Sequence, residues 1–261
     1  MLLSLLVCVG CQFKWTDDNK SDDRLIKIER FDRLEYRYLT VGDYSALQQM
    51  STEFPFETRT LIEKVLKIGQ ITDPDINSKF LKFYQDTTLQ TIISSVQSKY
   101  SNINDIQKEL SIAFARLEQQ IPNLQIPKVY TQISALDQSI VAGDGKIGIS
   151  LDKYLGEDYP IYNKYYIKQQ RKQMTRDNII PDCLMFYLMS LYPLRNYDFR
   201  PQFERDIHMA KIQWVANKAM SNNYYKGKYV DIVSKFMKIN PNIKFEELLE
   251  STDFSGFANL N

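Results

Sequence analysis

The amino-acid sequence predicts an α+β fold, a mainly helical single domain with a small antiparallel sheet. Three observations carry that class. Most of the chain spaces its apolar residues at three and four, as amphipathic helices do. Over 127–152 the spacing changes to two, and Asp144-Gly145 separates two apolar runs in the manner of a hairpin turn. Neither an internal repeat nor a convincing interdomain linker interrupts residues 25–261.

Taken in order, Leu25-Ile26-Lys27-Ile28-Glu29-Arg30-Phe31 alternates well enough for a strand. Residues 43–70 carry helical spacing through Leu47, Met50, Leu61, Val65 and Ile68, broken near Pro55. Residues 76–99 read as helix, with Phe80, Phe83, Tyr84, Leu89, Ile92, Ile93 and Val96. The clearest helix is 105–121, where Ile106, Leu110, Ala113, Phe114, Leu117 and Ile121 repeat at three and four. Asn104 followed by Gln107 resembles a capping box, and Pro122 closes the helix. A small antiparallel sheet follows, from Lys128–Ile133, Ser139–Ala142 and Lys146–Leu151. Residues 177–192 are apolar on every side, which suits a buried helix, with Pro181 in its first turn or at a kink. Residues 203–220 place Phe203, Ile207, Ala210 and Trp214 on one helical face, and 224–250 hold one or two more helices.

The stretch ahead of residue 25 has a different character. Leu2 to Val9 is apolar and leads through Gly10 into Cys11, where charged and polar sequence begins. The run is too short to span a bilayer, which takes about 20 residues, and it suits a signal core. The pattern resembles a bacterial lipoprotein signal. It predicts a signal peptide over 1–10, lipid attachment at Cys11 and a flexible tether over 11–24. Each buried acyl methylene contributes about 0.8 kcal/mol, so several chains hold firmly. The expected location is the cell envelope, anchored to the inner or outer membrane.

The 33 basic and 32 acidic residues give no large electrostatic footprint, which argues against a dedicated nucleic-acid binder. Aromatics are abundant, with 17 tyrosines, as suits a packed domain and a sticky surface. With Cys8 removed and Cys11 acylated, only Cys183 would remain, so no disulfide can form within the mature domain.

The catalytic inventory is thin. His208 is the only histidine, and no G-x-S-x-G stretch accompanies it. It is expected to be a partly exposed helix residue. Cys183 sits among apolar neighbours and reads as a buried, inert thiol. Glu157 and Asp158 read as turn residues rather than an acid–base pair. Gly143-Asp144-Gly145 is a turn and not a phosphate loop. One imidazole, one thiol and carboxylates make a poor zinc set, so no metal and no cofactor are expected. Lys164, Lys168, Arg171, Lys172 and Arg176 are interleaved with Tyr162, Tyr165 and Tyr166. That segment is either a solvated face with inward tyrosines or a surface for an acidic partner or anionic head groups.

One stretch carries a family resemblance. Ile126-Pro127-Lys128-Val129-Tyr130-Thr131-Gln132-Ile133-Ser134 precedes Leu151-Asp152-Lys153-Tyr154-Leu155-Gly156-Glu157-Asp158-Tyr159-Pro160. Gln170-Arg171-Lys172-Gln173-Met174-Thr175 and Ile179-Ile180-Pro181-Asp182 follow, and Ile28-Glu29-Arg30-Phe31-Asp32 stands near the start. Together these segments resemble the GldB-type gliding-motility lipoproteins of Bacteroidetes. The resemblance implies an envelope lipoprotein linked to surface gliding and protein secretion. That family is in turn distantly similar to predicted zinc peptidases, in which a strand-then-helix unit like 145–192 carries H-E-x-x-H. Here the corresponding place reads Ile180-Pro181-Asp182-Cys183-Leu184-Met185-Phe186, without histidine. The resemblance thus implies a zincin-like scaffold lacking the metal motif.

The leading expectation is a non-enzymatic envelope lipoprotein that binds another envelope protein, with no nucleic acid involved. Asp152, Tyr154, Asp158, Tyr159, Lys168, Arg171 and Lys172 are the candidate partner-binding residues. The rival readings are a divergent peptidase-like hydrolase and a small-ligand-binding envelope lipoprotein.

Overall fold

The structure is a computed structural model that describes residues 25–260. The signal peptide, Cys11 and the tether expected over 11–24 lie outside the described residues. At the centre is a four-stranded sheet of β1 (Ile28–Glu29), β2 (Lys128–Gln132), β3 (Ile140–Gly143) and β4 (Lys146–Ser150). The expected hairpin is present. β3 and β4 pair antiparallel, and Asp144 (φ 50°) and Gly145 (φ 68°) reverse the chain in left-handed conformations. The sheet as a whole is mixed rather than antiparallel, with strand order β1-β2-β4-β3. β4 inserts between β3 and β2 and runs parallel to β2, with Val129 opposite Ile147. β1 extends the parallel part, with Ile28 opposite Val129. The strand expected over 25–31 is shortened because Phe31 already begins a helix.

Among the described residues eight α-helices of various lengths precede the long apolar one. They are α1 (Phe31–Val41), α2 (Tyr44–Thr52), α3 (Pro55–Arg59), α4 (Ile76–Phe83), α5 (Thr87–Lys99), α6 (Asn104–Gln120), α7 (Tyr162–Tyr165) and α8 (Lys168–Arg171). Pro55 opens α3, which continues as a π-helical turn over Thr60–Val65, so the break near Pro55 is a helix start. The helix expected over 76–99 is two helices. Asp86 accepts from the N–H groups of Thr88 and Leu89 and so restarts the chain as α5.

Helix α6 seals the outer edge of β1. Ser111 Oγ accepts from the N–H of Ile26 at 2.9 Å, and Gln107 Oε1 accepts from the N–H of Ile28 at 3.1 Å. Gln107 is therefore turned away from its own helix end, and the expected capping box does not form. Asn102 Oδ1 instead accepts from the Asn104 N–H at 2.8 Å.

The C-terminal part comprises α9 (Ile179–Leu191), α10 (Gln202–Met220), α11 (Lys228–Ile239), α12 (Phe245–Glu250) and α13 (Ser255–Ala258). The apolar α9 packs on β3 and β4, with Pro181 in its first turn where a missing N–H costs nothing. α10 packs against α6, α9, α11 and α12, so it is covered on several faces rather than one. His208 is buried as a result, at 7% exposure, and not partly exposed as expected. Burial, then repulsion from Lys211, lowers its imidazole pKa and favours the neutral form.

The tyrosines work as apolar bodies with a polar tip that stitches loop backbone. Tyr38 donates to Asn77 O at 2.9 Å, Tyr84 to Ile133 O at 2.6 Å and Tyr187 to Gln125 O at 2.7 Å. All three side chains are almost wholly buried. Among the described residues no helix is long and apolar enough to cross a membrane.

Candidate functional site

The segment after β4 is organised by Asp152. The loop 133–139 must step over the end of β4 to reach β3, and it does so through Ala135 (φ 52°) and Leu136 (φ 67°), both left-handed. Such residues without glycine cost about 1 kcal/mol or more each. The N–H groups of Ser134 and Leu136 form a concavity for an anion. Asp152 fills it: Oδ1 accepts from the Ser134 N–H at 2.9 Å and Oδ2 from the Leu136 N–H at 2.6 Å. Burial raises the Asp152 pKa while these two N–H groups pull the other way.

From Asp152 onward, side chains tie down the backbone, those of Tyr100 and Tyr162 from buried positions. Tyr162 donates to Asp152 O and accepts from the Leu155 N–H at 2.9 Å. Tyr100 donates to Tyr154 O at 2.5 Å and Lys99 to Leu155 O at 2.6 Å. Tyr166 donates to Leu136 O at 2.7 Å, and Lys153 reaches the same carbonyl while lying 4.5 Å above the Tyr166 ring. The rings of Tyr159, Tyr162 and Tyr166 follow one another edge to face, with centroids 5.0 and 5.8 Å apart. Gly156, at φ +116°, takes a conformation in which a side chain is strained.

This network faces inward, so the candidate contact residues divide. Asp152 and Tyr154 are buried and present no surface to a partner, which corrects their expected place in the contact set. Tyr154 instead donates to Asp182 Oδ2 at 2.8 Å. Asp158 is exposed, and Tyr159 is half-buried with its hydroxyl donating to Ser95 Oγ at 3.0 Å. Lys168 and Lys172 are exposed. Arg171 is half-buried and binds Asn163 Oδ1 and Glu157 O, so it braces the segment. Beside these stand Tyr165 and Ile167, exposed by 60% and 66%. The reading as a solvated face with inward tyrosines holds in part: Tyr162 packs inward while Tyr165 and the lysines face solvent.

The groups with latent acid–base chemistry are held inside. Glu35 and Asp32 on α1 reach the end of β2, where Thr131 donates to Asp32 and the Ile133 N–H donates to Glu35 Oε2 at 2.9 Å. Both carboxylates are fully buried. Cys183 is buried, and burial pushes its thiol pKa well up. Burial raises the Asp182 pKa to about 6, and the buried Tyr154 hydroxyl donates to this carboxyl. Among the described residues no group of three or more His, Cys, Asp or Glu could hold a metal ion.

A family model described as Gliding motility protein GldB matches residues 12–229. The chain belongs to this family. No curated protein and no solved structure matches it. The GldB match takes in the whole sheet and the Asp152-centred network, and it stops at the start of α11.

Sequence reasoning missed Ser134, Tyr100 and Lys99 as partners of the 151–160 segment. Their contacts join positions far apart in the chain. Only Tyr159, Tyr162 and Tyr166, spaced at three and four, carried a local signal.

Proposed function

We propose that this GldB-family protein is a lipid-anchored envelope protein that acts by binding another envelope protein in a motility- or secretion-related assembly, not by catalysis. The observation that carries the reading is the exposed face of 163–172. Tyr165 and Ile167 stand in solvent between Lys164, Lys168 and Lys172. Segment 159–176 contains five basic residues and no acidic one. A rigid apolar pair ringed by cations suits an acidic partner, because aromatic anchors supply binding energy and the charges steer encounter. The tether and Cys11 acylation would hold that face at a membrane.

The test places a photo-crosslinking amino acid at position 165 in native envelopes. The expected product is one specific crosslinked envelope protein, lost in the Lys168→Glu/Lys172→Glu variant at unchanged melting temperature. An identical crosslink in the charge-reversed variant would remove this surface from the proposal. Cys11→Ala should release the chain from the membrane fraction, and continued sedimentation with membranes would remove the anchor.

A further inference from the structure

A hollow of about 750 Å³ lies among the C-terminal turns of α6 and α10, helix α11 and the loop leading into α12. Four cations border it: Arg116, Lys218, Lys238 and Lys244. No Asp or Glu lines it. Among the described residues none of the four takes part in an ion pair. The chain's net charge is only +1, so this concentration of positive charge is local. Helix-end dipoles favour Arg116 beside Ala219 O and Lys218 and Lys238 in their last turns. Lys244 has no such reason, and the dipoles do not require all four to border one hollow.

The other lining groups have a matching chemistry. Trp214 and Phe245 meet edge to face with centroids 5.1 Å apart, and Lys218 Nζ stands 4.9 Å from the Trp214 ring. The amides of Gln119, Gln120 and Asn242 and the hydroxyl of Ser221 complete the wall. An adjoining pocket of about 370 Å³ shares Trp214, Lys218 and Ser234 and adds Lys226 and Asp231. The volume falls within the usual range for a small-molecule site.

We propose that this hollow binds an anionic saccharide, a sugar ring carrying a phosphate or carboxylate. The cations take the anion through charge-assisted hydrogen bonds. The amides and hydroxyl take ring hydroxyls, and the Trp214–Phe245 corner takes an apolar ring face. Much of the wall comes from residues 234–245, beyond the stretch that matches the family. The site is therefore separate from the 163–172 face and independent of the proposed docking role.

Trp214 offers a direct readout, because Trp15 is the only other tryptophan. In the full chain carrying Trp15→Phe, Trp214 fluorescence is titrated with glucose 1-phosphate, glucose, inorganic phosphate and triglutamate. A further arm uses phosphatidylcholine vesicles with and without lipid A, a phosphorylated glycolipid. The expected result is a saturable change with glucose 1-phosphate that weakens at least tenfold in Lys238→Glu/Lys244→Glu, two exposed positions, at unchanged melting temperature. The same behaviour with lipid A vesicles alone supports the same chemistry from a membrane source. An equal response to glucose, inorganic phosphate or triglutamate overturns the proposal, as does a response that survives charge reversal or no response to any probe.

Discussion

The Glu35 carboxyl accepts a 2.9 Å hydrogen bond from the main-chain N–H of Ile133, while its other oxygen, Oε1, has no partner among the described residues. Gln132 Oε1, also buried, has none either. Burial, then the charge of Asp32, pushes the Glu35 pKa well up, so folding favours its protonated form.

Glu35→Gln should therefore stabilise the protein, increasingly so as pH rises. The folded pKa lies above the unfolded value of about 4.3. Wild-type stability from this group is present below that value and is lost as pH climbs towards the folded pKa. The glutamine does not titrate. Urea unfolding at acid and at mildly alkaline pH would show the gap widening with pH, and a gap that narrows would refute a neutral Glu35.

Asp152→Ala should cost about 3 kcal/mol, since it leaves the Ser134 and Leu136 N–H groups without their carboxyl acceptor. The left-handed Ala135–Leu136 pair would also lose its compensation. Hydrogen exchange at residues 134–136 should accelerate beyond the global effect. Unchanged protection there would show that the carboxylate does not hold the loop.

Tyr162→Phe should cost about 2 kcal/mol, because one hydroxyl serves both Asp152 O and the Leu155 N–H. Tyr165→Ala, at an exposed site three residues on, should stay within about 0.5 kcal/mol. Thermal unfolding of the pair separates scaffold from surface, and comparable losses in both would contradict that division.

Gly148 lies opposite Tyr130 on the neighbouring strand, and a Cβ at Gly148 would sit 2.5 Å from the Tyr130 ring. Gly148→Ala should destabilise by about 1–3 kcal/mol through overpacking. The Tyr130 hydroxyl is buried without a partner among the described residues, so Tyr130→Phe should be neutral or stabilising. Chemical denaturation of each variant decides, and a costly Tyr130→Phe would reveal an unseen partner for that hydroxyl.

The legible parts of the fold were those with a local cause. α6 could be read because Ile106, Leu110, Ala113, Phe114 and Leu117 repeat along one helix, and β3–β4 because Asp144-Gly145 sets the turn. The parallel pairings could not. Ile28 meets Val129 across about a hundred residues of chain, and β4 enters between β2 and β3 without any signal in its own residues. The site shows the same division. The Asp152–Pro160 segment was visible as a distinctive string, yet an irregular stretch has no period to tell inward from outward. Asp152 and Tyr154 thus looked like contacts and proved to be struts. His208 was misjudged because its burial comes from neighbours on several sides of α10, which one helix's spacing cannot reveal.

The pairing of Ser111 and Gln107 with the N–H groups of Ile26 and Ile28 bears on life at high local density. An open strand margin invites a neighbour's extended segment to join it. Here two side chains already occupy the donors along that margin. A strand arriving at the β1 side would find those two donors already taken.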